Sequence, residues 1–307
     1  MIDTPLVCII LVNYKTYEDT YECIDSINKT ITYQNYKVVV VDNTETIDSN
    51  VIEKLKDKCD GNHCVYIGNP SNGGFAVGCN IGISVSRQLG AQYVLLLNND
   101  TIIKSSDLIE QLLKGFSYKP NVGMVGGKIY YFADLESLEV SESTNKHVKV
   151  RPWYAAGYIS YIRIRAKNRP KIKGICDTPF ITGCMQMISM EAIDRVGLID
   201  ENYFMLFEDA DYCERMHAGG LRTVYNADAQ IYHKCSKSMP SSSPISVFYS
   251  NRNRYIYMKK YYKSLITTVV YFVELRLKHI IYKGDKRESI ERVYNFISET
   301  NVNGICC

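Results

Sequence analysis

The first 116 residues alternate short apolar runs, rich in β-branched side chains, with segments of helical periodicity. In chain order these segments are 6–12, 17–28, 37–41, 64–67, 75–89, 93–97 and 107–116. Continuous apolar strands that alternate with helices are typical of a parallel sheet whose two faces are both covered. The pattern predicts an α/β fold with a Rossmann-like, mostly parallel central sheet and helices on both faces.

Four of these segments are the apolar runs 6–12, 37–41, 64–67 and 93–97, and polar or glycine-rich residues follow each of them. They are Asn13-Tyr14, Asp42-Asn43, residues 69–74 and Asn98-Asn99-Asp100. In open α/β sheets, ligands bind beyond the carboxyl ends of the strands. We therefore expect the chemistry of this protein at these four strand ends.

The chain has 307 residues, of which 46% are hydrophobic, and this is enough for one large core and a smaller appendage. We predict a catalytic domain over 1–235, in which residues 136–175 form a basic excursion from the sheet. Residues 236–244 contain five Ser and two Pro and are typical of a linker. A helical C-terminal extension is expected to complete 236–307.

Positive charge is concentrated in two windows. Residues 146–173 contain nine Lys and Arg and no acid, and residues 252–287 contain ten Lys and Arg and two acids. Such segregation favours an anionic partner, such as a phosphate-bearing acceptor or a membrane surface, although nucleic acid would fit on charge alone. The alternative is two solvated basic faces.

The eleven cysteines are expected to be free thiols in a reducing cytoplasm, because residues 1–11 lack the basic region and cleavage site of a signal peptide. Their spacing also lacks the paired pattern of a zinc site. The most apolar stretch, 265–273, has about half the length that a membrane span needs. We expect a cytoplasmic protein that does not cross the bilayer.

Apolar residues recur at helical spacing in the second basic window. They are Ile266, Val269, Val270, Val273, Leu277, Ile280 and Ile281. The pattern predicts an amphipathic basic helix, which either packs on the catalytic domain or rests on the inner face of the cell membrane as a peripheral contact.

Asn98-Asn99-Asp100 follow the most hydrophobic run of the chain. A carboxylate at a rigid sheet edge can hold Mg²⁺ or Mn²⁺, which prefer carboxylate oxygens and keep positions open for diphosphate oxygens. The alternative is an Asn/Asp turn that leads into the next helix.

Two further strand ends suit a nucleotide. Asp42 can accept a hydrogen bond from an N–H of a pyrimidine ring, and the alternative is an Asx turn with Asn43. The segment 69–74 brings backbone amides and the start of a helix close to a ligand, or else forms a tight turn. Neither a GxGxxG after the first strand nor a P-loop motif is present, which removes the main support for those nucleotide folds.

Glu208-Asp209-Ala210-Asp211 place three carboxylates at the start of a predicted helix. Helix N-termini stabilise acids, so capping is one interpretation. Three acids behind an aromatic segment exceed what capping requires, and one of them could deprotonate a hydroxyl group. His233, at the end of a strand-like run, is either a structural residue or a ligand for metal or phosphate.

Taken in order, these motifs resemble the inverting glycosyltransferases of family two, which have the glycosyltransferase-A fold. The resemblance runs from about residue 7 to 234, roughly three quarters of the chain. The segments that carry it are Leu11-Val12-Asn13-Tyr14, Val40-Val41-Asp42-Asn43, Asn72-Gly73-Gly74-Phe75-Ala76, Asn80-Ile81-Gly82-Ile83, Leu96-Leu97-Asn98-Asn99-Asp100-Thr101, Thr182-Gly183-Cys184-Met185, residues 196–201, residues 204–213, Ala218-Gly219-Gly220 and residues 229–233.

The resemblance implies roles for individual residues. Asp42 would bind a uracil or thymine base and Tyr14 would lie against it. The remaining residues implied in nucleotide-sugar binding are Asn13, Asn72, Gly73, Asn80, Asn98 and Asn99.

The resemblance also implies a divalent metal and a catalytic base. Asp100 matches the metal-binding aspartate of the DxD motif, which is reduced here to Asn-Asn-Asp as in rhamnosyltransferase-like members, and His233 matches a second metal ligand. Asp209 matches the base that takes a proton from the acceptor hydroxyl, with Glu208 and Asp211 in support.

We therefore expect transfer of a sugar from a UDP- or dTDP-sugar to a hydroxyl of a surface-glycan acceptor, lipid-diphosphate-linked and approached by the basic excursion, with no nucleic acid involved. Two alternatives are a catalytically silent nucleotide-sugar-binding protein and a sugar nucleotidyltransferase. The latter usually carries a Gly-rich loop after its first strand, and residues 13–17 contain no Gly. The sugar, the linkage and the oligomeric state stay open.

Overall fold

The computed structural model describes residues 4–45, 49–59, 63–135, 151–235 and 243–302. The first part of the predicted basic excursion, 136–150, and most of the predicted linker, 236–242, lie outside the described residues.

Strands and helices alternate through the first half of the chain, as the periodicity predicts. The strands are β1 Val7–Asn13, β2 Tyr36–Asp42, β3 Cys64–Gly68, β4 Tyr93–Asn98, β5 Thr101–Ile102, β6 Val122–Tyr131, β7 Tyr158–Ser160, β8 Arg165–Lys167, β9 Ile175–Asp177, β10 Met185–Ser189 and β11 Arg222–His233. The helices are α1 Tyr17–Thr30, α2 Ser49–Cys59, α3 Gly74–Gln88, α4 Leu108–Phe116, α5 Met190–Val196, α6 Glu208–Ala218, α7 Pro244–Tyr261, α8 Leu265–Ile281 and α9 Asp285–Val302.

The main sheet has the strand order β3-β2-β1-β4-β10-β6-β11-β5, and β9 pairs with β11. The pairs within β3-β2-β1-β4 are parallel, as is β6 with β11, whereas β10 runs antiparallel between β4 and β6. The apolar residues of β1, β2 and β4 are almost fully buried, as expected for strands with both faces covered. The predicted α/β fold with a mostly parallel sheet is confirmed.

Strand register brings the polar strand ends together. Asn13 is paired with Asp42 across β1 and β2, and Val12 is paired with Asn98 across β1 and β4. On the far side, β11 pairs antiparallel with β5, so that His233 lies opposite Thr101. The four predicted strand ends therefore lie along one edge of the sheet.

Helix α7, which lies in the predicted C-terminal extension, packs on the part of the chain that precedes α6. Asn253 Nδ2 donates hydrogen bonds to the carbonyl oxygens of Met205 (2.8 Å) and Leu206 (2.9 Å), immediately before α6. Lys260 Nζ lies 2.7 Å from Oδ1 of the fully buried Asp211. These contacts tie α7 to the segment that carries the predicted base.

Helix α8 follows the expected amphipathic pattern and presents two different faces. Tyr271 and Leu275 are buried against the rest of the protein. The opposite face exposes half or more of each of Leu265, Ile266, Val269, Val273, Leu277, Ile280 and Ile281. Within the described ranges, none of the helices combines the length and apolar character that crossing a bilayer requires.

A disulfide joins Cys59, the last residue of α2, to Cys64, the first of β3. The expectation of free thiols throughout is wrong for this pair, because the short α2–β3 connection brings the two side chains together. Seven further described cysteines are free, and five of them are buried.

Candidate functional site

Asp42 lies at the end of β2 with its carboxylate buried. Its Oδ1 accepts hydrogen bonds from Asn13 Nδ2 (2.9 Å) and from the Thr44 amide (3.2 Å), and its Oδ2 accepts one from the Tyr17 hydroxyl (3.1 Å). The Thr44 contact is that of an Asx turn. The Asp42 side chain is thus held in one orientation. Tyr14, the residue after β1, is half-buried, and its hydroxyl donates a hydrogen bond to Glu45 Oε1 (3.4 Å).

Asn99 ties the end of β4 to the start of α1. Its Nδ2 lies 2.8 Å from both Thr16 Oγ1 and Thr20 Oγ1 and 3.3 Å from Asn13 Oδ1. Asn13 and Asn99 therefore join three elements at the predicted nucleotide edge, and their amides orient the neighbouring side chains.

Asp100 and His233 form a close pair across the β5–β11 pairing. His233 Nε2 lies 3.0 Å from Asp100 Oδ1 and 3.5 Å from Asn98 Nδ2. The rings of Trp153 and His233 pack in a T-shaped arrangement, with 4.7 Å between their centroids. Both Asp100 and His233 are buried. Side chains that are 133 residues apart in the chain therefore meet at one strand end.

The side chains of Asp100 and His233 offer ligand atoms that suit a divalent metal ion. A carboxylate suits Mg²⁺ and Mn²⁺, and imidazole is accepted by first-row transition metals. Within the described part of the chain, no group of three or more His, Cys, Asp or Glu side chains could hold a metal. Asp100 and His233 would supply two ligands to such an ion, and water and phosphate oxygens would have to supply the others.

The loop between β3 and α3 is shaped by short polar contacts. Asn72 Oδ1 accepts a hydrogen bond from the Gly74 amide (3.1 Å), and Asn43 Nδ2 donates one to the Gly74 carbonyl (2.9 Å). Gly74 has φ +88°, and a Cβ there would lie 2.1 Å from the Phe204 carbonyl oxygen. Glycine is therefore required where this loop meets the segment before α6.

Asn80 lies away from the strand ends. Its Oδ1 accepts a hydrogen bond from the Ile199 amide (3.0 Å), while its Nδ2 donates to the Ile199 carbonyl (2.9 Å) and to Glu201 Oε1 (2.9 Å). The hydrogen bonds of Asn80 therefore join α3 to the loop after α5, rather than to the predicted nucleotide edge.

Asp209 lies in the first turn of α6, after Leu206 and Phe207, which have φ values of 69° and 75°. Its Oδ2 accepts a hydrogen bond from the Gly183 amide (2.9 Å), and its Oδ1 accepts one from the Ala210 amide (2.8 Å). Burial raises the pKa of the Asp209 carboxyl, while these amides favour its ionised form. The arrangement orients a carboxylate whose basicity exceeds that of a solvated aspartate.

The neighbouring Glu208 differs from Asp209 in its surroundings. It is buried, and its Oε2 has no hydrogen-bond partner among the described residues. Burial, and then the charge of Asp209, raise the pKa of Glu208 well above its usual range. Burial without a hydrogen bond to Oε2 therefore favours the protonated form of Glu208, whereas two amide donors favour the ionised form of Asp209.

Asp211 faces α7. Its carboxylate contacts Lys260 Nζ (2.7 Å), the Tyr261 hydroxyl (2.8 Å) and Arg215 Nε (2.9 Å). The structure therefore separates Asp211 from Asp209 and makes it an anchor for the C-terminal extension.

A cavity of about 470 Å³ lies beside Asp209. Thr182, Asp209 and Ala210 line this cavity together with cations from α7, α8 and β8. The other lining residues include Trp153, Tyr154, Phe180, Phe207, Asn251, Arg165, Arg254 and Lys278.

The basic excursion that is predicted to approach the acceptor includes Arg165, whereas the sequence does not identify Trp153, Arg254 or Lys278 as site residues. The available signals were the single Trp of the chain inside one basic window and the cations of the other window. Neither signal identifies a pocket before α7 and α8 are placed.

Two contacts connect this cavity to the Asp100–His233 pair. The turn before β10 contacts both the end of β4 and the predicted base. The Asn98 amide donates a hydrogen bond to the Cys184 carbonyl (3.0 Å), and the Gly183 amide donates one to Asp209. Trp153 lines the cavity and also packs on His233. The predicted metal ligands and the predicted base are therefore linked through this turn and through the Trp153 ring.

The fold is similar to that of a solved mannosyltransferase, PcManGT from Pyrobaculum calidifontis, in complex with GDP-Man and Mn²⁺. The TM-score is 0.58 at 13% identity, over 97% of this chain and 81% of that chain. Together with the sheet topology, this likeness shows the glycosyltransferase-A fold.

Two curated proteins are similar in sequence. The low-salt glycan biosynthesis hexosyltransferase Agl10 of Haloferax volcanii is 24% identical over 269 residues, which cover 86% of this chain and 78% of that protein. The dTDP-rhamnosyl transferase RfbF of Shigella flexneri is 23% identical over 266 residues, covering 83% of this chain and 81% of the relative.

The model of the family described as "Glycosyltransferase like family 2" matches residues 5–257, which include every strand of the sheet and most of α7. The chain therefore belongs to glycosyltransferase-like family 2.

Proposed function

We propose that this glycosyltransferase transfers a hexosyl or rhamnosyl residue from a UDP- or dTDP-sugar to a hydroxyl of a glycan acceptor, with inversion at the anomeric carbon. The observation that carries the proposal is the Asp209 carboxylate, which two backbone amides orient beside a cavity of about 470 Å³. Pockets of this size bind sugars and other small ligands.

In the proposed reaction, Asp209 takes the proton of the acceptor hydroxyl as that oxygen bonds to the anomeric carbon of the donor. The bond from that carbon to the diphosphate oxygen breaks, and its electron pair leaves with the nucleoside diphosphate. Attack from the face opposite the leaving group inverts the configuration, so one base is sufficient. General base catalysis of this kind contributes about 10²- to 10⁴-fold.

Asp100 and His233 would hold a divalent metal, Mg²⁺ or Mn²⁺, at the donor side of the site. When bound, the metal neutralises charge on the diphosphate leaving group. Asp42 and Tyr14 would contact the base of the nucleotide. The similarity to RfbF, which is named a dTDP-rhamnosyl transferase, supports a dTDP-linked donor for this chain.

The exposed face of α8 supports a peripheral contact with the inner face of the cell membrane, and hence a cytoplasmic enzyme that works on a lipid-linked acceptor. Seven apolar side chains of this face are at least half exposed. The basic residues Lys259, Lys263 and Arg276 are also exposed and suit anionic headgroups.

The test is release of nucleoside diphosphate from a panel of UDP-, dTDP- and GDP-sugars, with and without Mn²⁺. Wild-type protein is compared with Asp209→Asn, Asp100→Ala and a control, Glu110→Gln, on the exposed side of α4. We expect metal-stimulated release from one donor class, lost in the first two variants only. Binding of UDP or dTDP without turnover of any donor, even with lipid-linked acceptors, would instead identify a silent nucleotide-sugar-binding protein.

A further inference from the structure

Three guanidinium groups from two separate parts of the chain converge on Glu274 of α8. Arg163 Nε and Arg165 Nη2 lie 2.5 Å and 3.0 Å from its carboxylate oxygens, and Arg254 Nη1 of α7 lies 2.8 Å away. The single carboxylate of Glu274 therefore forms ion pairs with three guanidinium groups.

A fourth cation, Lys278, lies one helical turn after Glu274. Its Nζ donates a hydrogen bond to Asn251 Oδ1 (2.7 Å), which is a neutral partner. Burial, and then the charges of Arg254 and Arg165, lower the pKa of Lys278 to about 8. The four basic side chains around Glu274 thus carry more positive charge than its single carboxylate neutralises.

Arg254 is the most buried member of this group, with 4% of its surface exposed. Its Nε has no hydrogen-bond partner among the described residues. A buried N–H of a charged group without an acceptor is costly, and an anion bound beside Arg254 would supply one. Arg254, Arg165 and Lys278 all line the cavity that Asp209 lines.

We propose that Arg165, Arg254 and Lys278 form an anion subsite that binds a phosphate or diphosphate group of the acceptor. This inference rests on the proposed function, because it names the chemistry of the acceptor in the cavity of Asp209. Guanidinium groups bind phosphate oxygens through paired N–H donors, and lysine adds a compact charge. The subsite lies on α7, α8 and β8, on different elements from Asp100 and His233, which lie at the ends of β4 and β11.

The subsite also explains why the C-terminal helices belong to the catalytic unit. Arg254 is carried by α7 and Lys278 by α8, whereas Arg165 comes from β8 of the basic excursion. An acceptor phosphate at this position would be held by three elements, and its sugar would extend past the aromatic side chains toward Asp209.

The probe for a direct test is inorganic pyrophosphate, added to the full-length protein in EDTA so that metal-dependent binding at Asp100 is absent. Trp153 is the single tryptophan of the chain and lines the cavity, so its fluorescence reports occupancy. The variants are Arg165→Gln, half exposed on β8, and Lys278→Gln. The matched control is Arg276→Gln, which removes one exposed charge from the same helix as Lys278.

We expect pyrophosphate to bind wild type and Arg276→Gln with equal affinity and to bind Arg165→Gln and Lys278→Gln about tenfold more weakly, as for the loss of one charged hydrogen bond. Equal affinity in all four proteins, with unchanged melting temperatures, would overturn the inference. Because Arg165 is on an exposed hairpin, its variant keeps the test valid if Lys278→Gln misfolds.

Transfer assays separate this inference from the proposed function. We expect Arg165→Gln to raise KM about tenfold for a phosphate-bearing acceptor and not for its dephosphorylated form. A lipid-linked diphosphate and a soluble sugar phosphate distinguish the two sources of the group. Pyrophosphate binding that follows the expected pattern without turnover of any donor would reject the transferase and keep the anion subsite. Turnover with equal KM values for both acceptor forms would reject the subsite alone.

Discussion

The Gly183 amide donates a 2.9 Å hydrogen bond to Asp209 Oδ2, and this contact holds the predicted base against the turn before β10. The next residue of that turn, Cys184, accepts a hydrogen bond from the Asn98 amide. The orientation of Asp209 and the position of the end of β4 are therefore set by the same short turn.

Asp209→Asn should abolish proton abstraction while keeping the size of the side chain. We expect kcat to fall at least about a hundredfold, because general base catalysis is lost. The affinity for UDP or dTDP should stay within about twofold, since Asp209 is on the acceptor side of the site. Steady-state kinetics and nucleotide titration measure the two quantities. A kcat within a few-fold of wild type would exclude Asp209 as the base.

Glu208→Gln should stabilise the protein above neutral pH. Folding raises the pKa of Glu208. Between the unfolded pKa of about 4.5 and the higher folded pKa, the folded protein therefore binds more protons than the unfolded protein. Stability is then lost as pH rises from the unfolded pKa toward the folded one, by about 1.4 kcal/mol for each pH unit in that interval.

Glutamine does not titrate, so the Glu208→Gln variant should lack this loss of folding stability with rising pH. Denaturant unfolding at pH 5 and pH 8 measures it, and Glu110→Gln on exposed α4 is the control. A variant whose stability falls between these pH values as steeply as that of wild type would contradict the assignment.

Asp100→Asn and His233→Ala should each weaken Mn²⁺ binding in the presence of UDP by about tenfold or more, because each removes one of the two fitted ligands. Electron paramagnetic resonance of free Mn²⁺ measures this without turnover. Thr101→Ser, beside Asp100 on β5, is a control that changes neither ligand. Unchanged Mn²⁺ affinity in both ligand variants would place the metal elsewhere.

Lys260→Met should loosen the attachment of α7. It removes the partner at 2.7 Å from the fully buried Asp211, which keeps Arg215 and Tyr261. We expect a loss of about 1–3 kcal/mol in the free energy of unfolding. Lys263→Met, an exposed lysine after α7, should change it by less than about 0.5 kcal/mol. Equal effects of the two variants would show that the Asp211 contact adds no stability.

The combined variant Ile266→Ser, Val273→Ser and Ile280→Ser should bind anionic vesicles more weakly without a change in thermal stability, because all three side chains are more than half exposed. Each substitution removes apolar surface that could enter the headgroup region. Co-sedimentation measures binding, and Leu198→Ser, exposed on the catalytic domain, is the control. Wild-type protein that fails to bind vesicles at low salt would reject the membrane contact.

Much of the fold follows from local patterns. The apolar runs near 6–12, 37–41 and 93–97 became β1, β2 and β4, because a continuous β-branched run is stable only when both of its faces are covered. The acidic residues 208–211 lie in the first turn of α6, at the start of a helix as predicted. The amphipathic spacing of 266–281 likewise predicted α8.

The sequence by itself determined the strand ends, because a polar residue after a buried strand must emerge at the sheet edge. It did not determine partners across the chain. Asn80 and Asp211 carry suitable groups, yet each is engaged by a distant segment, Ile199 in one case and Lys260 in the other.

The family resemblance predicted Asp100 and His233 as ligands of one metal, but only the tertiary structure showed their direct contact and brought together the cationic residues that line the cavity. Some of these contacts join residues more than a hundred positions apart, as for Asp100 with His233 and for Arg163 with Glu274. Spacing along the chain carries no information about such pairs, because strand order and helix packing decide which remote side chains share a buried environment. That environment, in turn, decides which carboxyl group keeps its proton and which cation lacks a counter-ion.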